Sequence, residues 1–187
     1  MDISALLEVE MGITALIGGG GKTTLMYTMA EELRRRGTVL ITTSTHIQRP
    51  GQYPVLTAAD AAAVAAALAE HGTVCVASES PEGKLCAPAL SFELLAALAD
   101  FVLVEADGSK RLPLKAHAPH EPVIPANARR TVYVVGADGF GHPIRQVCHR
   151  PERYAALCGA AEDDIVTPAL EAAVLHAEGY DTGWVYI

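Results

Sequence analysis

The run Gly18-Gly19-Gly20-Gly21-Lys22-Thr23-Thr24 places four glycines directly before a lysine and two threonines. Glycine admits positive φ and lets backbone N–H groups approach an anion closely, so such a run can wrap a polyphosphate. Lys22 would then face the β and γ phosphates, and the Thr23 hydroxyl would ligate Mg²⁺. The loop follows the apolar run Ile13-Thr14-Ala15-Leu16-Ile17 and precedes Leu25-Met26-Tyr27-Thr28-Met29-Ala30. Strand, glycine loop, helix is the order that aims a helix N-terminus at phosphate. The full pattern G-x-x-x-x-G-K-[ST] would need glycine where Leu16 stands, so this is a shortened loop, G-x-x-G-K-T from Gly18. A dinucleotide fingerprint fits less well, because its third glycine falls on Thr23. The ribose-holding acid expected about 20 residues on is also missing from Ile41-Thr42-Thr43-Ser44-Thr45-His46. An NAD(P)-binding oxidoreductase is therefore the lesser alternative.

A second constellation ends the apolar run Phe101-Val102-Leu103-Val104 with Glu105-Ala106-Asp107-Gly108. Nucleotide-hydrolysing folds keep a Mg²⁺-linked or water-orienting carboxylate at such a strand end. Glu105 and Asp107 are two apart, which in a strand places them on one side. One can hold the metal while the other polarises a nucleophile. A plain Asp-Gly turn explains Asp107 but leaves Glu105 unexplained at the end of an apolar run. The cluster Thr43, Ser44, Thr45 and His46 follows another apolar run, where hydroxyls can meet phosphate, metal or substrate. Ordinary β-propensity explains those threonines equally well. Ser109, Lys110, Arg111 and His120 offer positive and polar groups to a second, anionic ligand. His117 and His120 have H-x-x-H spacing, but Pro119 between them rules out a helical metal face.

The elements that must position these groups alternate along the chain. Strands are expected near 12–17, 38–43, 73–77, 101–106 and 131–136. Their continuously apolar runs suit a parallel sheet buried on both faces. Helices are expected from Lys22 to Arg36, stopping at Gly37, and after Thr57 as cap, with Asp60 at the third helical position. A third helix should follow Ser91, and a fourth should start at Thr167-Pro168. The expected architecture is a three-layer α/β fold of the P-loop NTPase type with a mostly parallel central sheet. It forms one domain over 1–187, with ligands at the carboxyl ends of the strands. Prolines at 113, 119, 122 and 125 make 112–125 an extended loop over one face. A C-terminal helical segment spans 151–178, and the end, Gly183-Trp184-Val185-Tyr186-Ile187, reads as a short strand or a loose tail.

Composition narrows the function classes. Half of the 187 residues are hydrophobic and 19% are charged, as in an ordinary globular domain. Net charge is −8 with no long basic run, so nucleic acid is not an expected partner. No apolar run approaches the ~20 residues of a membrane span. The N-terminus is acidic rather than signal-like, and the four cysteines lack C-x-x-C spacing. A cytoplasmic protein with reduced thiols is the expectation. Cys75 falls in a core strand and should be inert, while Cys86 lies in a loop.

Several of these blocks resemble one family. Gly18–Thr24, Thr42-Thr43-Ser44-Thr45-His46-Ile47 and Glu105-Ala106-Asp107-Gly108-Ser109-Lys110-Arg111-Leu112-Pro113-Leu114-Lys115 are similar to blocks of the YqeC proteins. So are His120-Glu121-Pro122-Val123-Ile124-Pro125 and His149-Arg150-Pro151-Glu152. That family is described as accessory to selenium-dependent hydroxylases, or as serving selenium cofactor biosynthesis. The resemblance implies a nucleotide-binding core and a role in maturing selenium-dependent molybdenum hydroxylases, with such an apoenzyme as a partner. ATP or GTP with Mg²⁺ are the expected ligands, and no Asn-Lys-x-Asp motif selects guanine. Catalytic duty falls to Lys22, Glu105 and Asp107, and metal binding to Thr23, Glu105 and Asp107. The reaction is γ-phosphoryl hydrolysis or transfer. The alternative is a nucleotide-gated partner that delivers a cofactor precursor without significant turnover.

Overall fold

The computed structural model describes residues 2–180 and the short strand Val185–Tyr186. In chain order the elements begin α1 (Ile3–Leu6), β1 (Gly12–Gly18), α2 (Lys22–Leu33), β2 (Val39–Thr43), β3 (His46–Ile47) and β4 (Val55–Thr57). They continue α3 (Ala61–His71), β5 (Thr73–Glu79), β6 (Leu85–Cys86), α4 (Phe92–Leu98), β7 (Phe101–Glu105), β8 (Leu114–Lys115) and β9 (Ala128–Val134). The last are α5 (Ile144–Val147), β10 (Cys148–His149), α6 (Pro151–Cys158), α7 (Pro168–Ala177) and β11 (Val185–Tyr186). The fold is mixed α/β with a mostly parallel sheet. The chain divides into two compact units. One comprises Met1–Leu16, Thr23–Asp107 and Val123–Thr131; the other comprises Ile17–Lys22, Gly108–Pro122 and Val132–Ile187.

The first unit holds the parallel strands in the order β1-β7-β2-β5, with β4 also parallel on β5. Val39–Ile41, Val74–Val76 and Phe101–Val104 are almost wholly buried, because helices cover the sheet that these runs build. Alternate residues Val74, Val76, Val102 and Val104 face Val64 and Leu68 of α3 and Leu95 of α4. Chain order and strand order differ at one place. β7 returns to lie between β1 and β2, pairing Glu105 with Leu16 on one side and with Thr43 on the other. Such a switch brings the carboxyl ends of strands distant in sequence side by side, which is where open sheets bind ligands.

Helix boundaries follow local chemistry, with two corrections, the cap of α3 and the end of α2 short of Arg36. The α3 cap is Asp60, whose carboxylate accepts from the Ala63 N–H at 2.8 Å. Thr57 instead pairs with Ala77 as the last residue of β4, so it is not free to cap. Ser91 and Thr167 cap α4 and α7 as expected, and Gly72 ends α3 at φ +72°. α2 stops at Leu33, and Arg36 N–H closes back on Leu33 in a tighter turn. Short strands β3, β4, β6, β8 and β10 have no counterpart in the sequence reading.

In the second unit, β8 pairs in parallel with β10, matching Leu114 with Cys148 and Lys115 with His149. Leu114, Ile144, Val147, Tyr154, Val166 and Val174 form its apolar core. The proline-rich stretch is therefore not a loop laid over a face: Leu114 to Ala118 are buried. Leu114 and Ala116 enter that core, which is why the segment goes inside. The expected helical segment 151–178 is two helices. Gly159 ends α6 at φ +69°, and Thr167 caps α7. Val185 and Tyr186 pair with Val132 and Tyr133, while Gly183, Trp184 and Ile187 lie outside the described residues.

Between α6 and α7 the Tyr154 hydroxyl donates to Glu171 Oε2 at 2.7 Å. Glu171 is 3% exposed, and its Oε1 has no hydrogen-bond partner among the described residues. Burial, assisted by Glu178, pushes its carboxyl up to about 7. The folded state thus holds this proton more tightly than the unfolded chain does. The associated stability is complete below about pH 4.5 and is lost as pH rises through about 7, on the order of 3 kcal/mol. Urea unfolding at pH 5 and pH 8 should show this slope in the native protein and lose it in Glu171→Gln. An unchanged slope in that variant contradicts the assignment.

Candidate functional site

In the first unit the site is built where β1, β7 and β2 end. Thr23, in the first turn of α2, donates its hydroxyl to Glu105 Oε2 at 2.7 Å. Glu105 closes β7 and is 8% exposed. A carboxylate this sheltered needs donors or a cation, and the Thr23 hydroxyl is one donor. Asp107 is fully buried. It stands beyond the end of β7, so the side-sharing argument from strand periodicity does not apply to it. Ala106 donates to Leu16 and accepts from Val123, and the chain leaves the sheet there.

The hydroxyls after β2 stitch strand ends together. Thr42 Oγ1 donates to the Val76 carbonyl at 2.7 Å and Thr43 Oγ1 to the Glu105 carbonyl at 2.8 Å. Thr43 Oγ1 also accepts from the Thr45 N–H at 3.0 Å, and Ser44 Oγ donates to the Val123 carbonyl at 2.6 Å. Thr43 and Ser44 therefore fix the loop beside Glu105, with oxygen lone pairs as what remains for a ligand. His46 is exposed on β3, directly opposite Cys86 of β6. Among the thiols, burial pushes Cys75 and Cys148 up to about 12, the behaviour of inert core cysteines.

In the second unit the glycine loop packs on its own neighbours. Gly19 N–H donates to the Val134 carbonyl at 2.7 Å and Gly20 N–H to the Pro113 carbonyl at 3.3 Å. A Cβ on Gly19 would lie 1.7 Å from the Pro113 oxygen, and one on Gly18 2.5 Å from the Val134 oxygen. Gly18 and Gly21 also have φ near +100°. Close backbone packing thus requires glycine at 18 and 19, apart from any ligand. Gly19→Ala should cost at least ~3 kcal/mol, read as a lowered urea midpoint, because backbone rather than a flexible side chain must give way. A variant as stable as the native protein would contradict this packing. Lys22 is 3% exposed, and its ammonium donates to the Gly18 and Gly19 carbonyls at 2.7 and 2.9 Å. The ammonium therefore sits inside the arc of the loop, and Thr23 follows it in the chain. Thr24 is exposed one position further on.

The basic segment after β7 divides into two kinds of residue. Lys110, Arg111 and His120 are exposed, while Ser109 is buried. The cation that goes inside is Lys115, whose side chain is wholly buried and pairs with Glu121 at 3.0 Å. Arg150 reaches the same Glu121 oxygen at 2.7 Å. These two cations hold the Glu121 carboxyl at about 2 despite its burial. That carboxylate contributes stability above about pH 4.5, lost as pH falls toward 2, a window below that of Glu171. His117 Nδ1 lies 2.6 Å from Glu178 Oε2, and that carboxylate also accepts from the His117 N–H. Residue types alone did not single out Glu121, His149, Arg150 or Glu178. The signal for the first three was their place in the family-like blocks.

A family model described as YqeC protein matches residues 14–152. The chain belongs to the YqeC family. It is 33% identical, over 196 aligned residues, to a protein of Escherichia coli (strain K12) named "Uncharacterized protein YqeC", covering 96% of this chain and 75% of that one. No solved structure matches it. The YqeC match takes in the glycine loop, the Thr43–His46 cluster, Glu105 to Lys115 and Arg150. Among the described residues, no helix is long and apolar enough to cross a membrane.

Proposed function

We propose that this YqeC-family chain binds a magnesium–nucleoside triphosphate in a P-loop NTPase-like site and hydrolyses or transfers the γ-phosphoryl group. The observation that carries the reading is the 2.7 Å hydrogen bond from Thr23 to Glu105. It joins the hydroxyl that follows Gly-Lys to the acid that ends the neighbouring strand, the two side chains a phosphate-bound magnesium uses in such folds. Among the described residues no three His, Cys, Asp or Glu side chains gather as a metal site. The oxygen donors of this reading are Thr23, Glu105 and Asp107, and this set fits magnesium, which takes few protein ligands and completes its shell with phosphate and water. Magnesium, when bound, supplies charge neutralisation at the phosphates. The N–H groups from Gly21 to Thr24 hold phosphate oxygens in this reading, those of Gly19 and Gly20 being taken by the Val134 and Pro113 carbonyls, and Lys22 moves from its carbonyls to the anion. Glu105 or Asp107 orients the nucleophile.

Thr43, Ser44, Thr45 and His46, with Ser109, Lys110, Arg111 and His120, face a second ligand in this reading, a small anionic molecule or cofactor precursor. The physiological role is that implied by the YqeC resemblance: accessory factor in maturing selenium-dependent molybdenum hydroxylases in the cytoplasm, acting on the apoenzyme. Calorimetry with ATP and with GTP, with magnesium and with a chelator, tests the reading. Binding that needs magnesium supports it; no binding of either nucleotide sinks it. Binding without phosphate release, alone or with the apoenzyme, favours a nucleotide-gated delivery protein.

A further inference from the structure

A cavity of about 450 Å³ opens in the first unit at the amino ends of β1 and β7, the end of the sheet opposite Glu105. Gly12, Asp100 and Arg129 line it together. The Gly12 N–H donates to the Asp100 carbonyl at 2.8 Å. The Arg129 side chain lies over the same glycine, where a Cβ would stand 3.0 Å from its Cδ and 3.1 Å from its Nε. One residue thus ties an acid and a base to one hollow.

The acid is ionised and held in place. Thr38 donates twice to Asp100 Oδ2, from its N–H at 2.8 Å and from its hydroxyl at 2.9 Å. Those two bonds hold the carboxyl below its usual range. The Asp100 N–H donates back to the Thr38 hydroxyl at 3.0 Å. Among the described residues Oδ1 accepts no hydrogen bond. The base is equally uncommitted. Arg130 pairs with Glu8 at 3.1 Å, while Arg129 makes neither a hydrogen bond nor an ion pair among the described residues. Asp100 and Arg129 therefore share the cavity without neutralising each other.

The rest of the wall sorts by chemistry. α4 ends here. The N–H groups of Asp100 and Phe101 would close its last turn on Ala96 and Ala97, but both go to Thr38. The Ala96 and Ala97 carbonyls are left as acceptors at the wall. Met11, 55% exposed, and Leu98 add apolar surface. A ligand of one sign would answer only one of the two charged groups.

We propose that this cavity binds a small zwitterion, a free apolar α-amino acid. Arg129 takes its carboxylate, Asp100 Oδ1 with the Ala96 and Ala97 carbonyls takes its ammonium, and Met11 and Leu98 meet its side chain. The volume lies in the range of small-molecule sites. The ligand has no net charge, so binding does not depend on the charge balance of the surrounding chain. β7 runs between Asp100 and Glu105, roughly 16 Å at the rise of a strand, so the site needs neither nucleotide nor magnesium.

The test is an NMR titration of the native protein with L-leucine, L-methionine and L-phenylalanine to ~10 mM, where millimolar affinity is read directly. At least one should give saturable shifts at the Gly12, Thr38, Asp100 and Asn127 amides. For L-leucine, two analogues separate the charges: leucinamide lacks the carboxylate and 4-methylpentanoate lacks the ammonium. The analogues of whichever amino acid binds should each bind about 10-fold or more weakly than their parent. Arg129→Gln, at an exposed position, should weaken the amino acid by a similar factor and erase its advantage over the amide. No saturable shift with any of the three amino acids overturns the proposal. So does an amide or a deaminated acid that binds as tightly as its parent, or Arg129→Gln that binds as the native protein does.

Discussion

Lys22→Met is expected to weaken magnesium–nucleoside triphosphate binding at least ~100-fold, close to 3 kcal/mol of affinity. The lysine is almost fully buried, and two loop carbonyls hold its ammonium within the arc of Gly18 to Lys22. A positive charge sheltered from water attracts a phosphate far more strongly than one at the surface. Methionine keeps the stem and removes the charge. It also leaves the Gly18 and Gly19 carbonyls without that donor, which should destabilise the fold by roughly 1–3 kcal/mol. Affinity must therefore be measured on protein shown by circular dichroism to be folded, under conditions well below its unfolding midpoint. Folded Lys22→Met that binds triphosphate as the native protein does would remove Lys22 from the site.

The second large effect is on turnover. Glu105→Gln should lower magnesium-dependent phosphate release by about 10²–10³-fold while changing triphosphate affinity much less. The amide can still accept from Thr23, so the 2.7 Å contact has an isosteric replacement. What is lost is the negative charge that would hold a divalent cation. Asp107→Asn discriminates between the two carboxylates. If Asp107→Asn abolishes release and Glu105→Gln does not, the catalytic carboxylate is the one beyond the strand end. Phosphate release by Glu105→Gln and Asp107→Asn alike, at the native rate, would contradict a metal-assisted phosphoryl reaction here.

The legible part of this molecule is the part written in local chemistry. Val39–Ile41, Val74–Val76 and Phe101–Val104 announce buried parallel strands, because a strand covered on both faces has no polar side to show. Ser91 and Thr167 announce their helices because a cap acts within three residues. Asp60 was seen but misplaced by one turn. Its competitor Thr57 is taken up by a pairing with Ala77 that no short-range signal carries. Strands of two residues, such as β8 and β10, are too short for any periodicity.

The site divides in the same way. Gly18 to Thr23 and Glu105 are recognisable because residue type and spacing suffice. The requirement for glycine at 19 is different: it comes from Pro113, which lies 94 positions away in sequence. The burial of Lys115 was also hidden, since it depends on Glu121 and on Arg150 coming together. Exposed Lys110 and Arg111 looked like the stronger ligand residues, although the fold puts its best-anchored cations at 115 and 150. Asp107 looked like a strand residue because a turn and a strand end read alike in sequence.

The most direct measurement is a crystal structure with a non-hydrolysable triphosphate and magnesium. The account predicts phosphate oxygens on the backbone N–H groups of Gly21 to Thr24, and Lys22 Nζ drawn off the Gly18 and Gly19 carbonyls onto the anion. It also predicts a magnesium ion on Thr23 Oγ1 with Glu105 or Asp107 beside it. A nucleotide bound elsewhere, with Lys22 still closed on its own loop carbonyls, would contradict it.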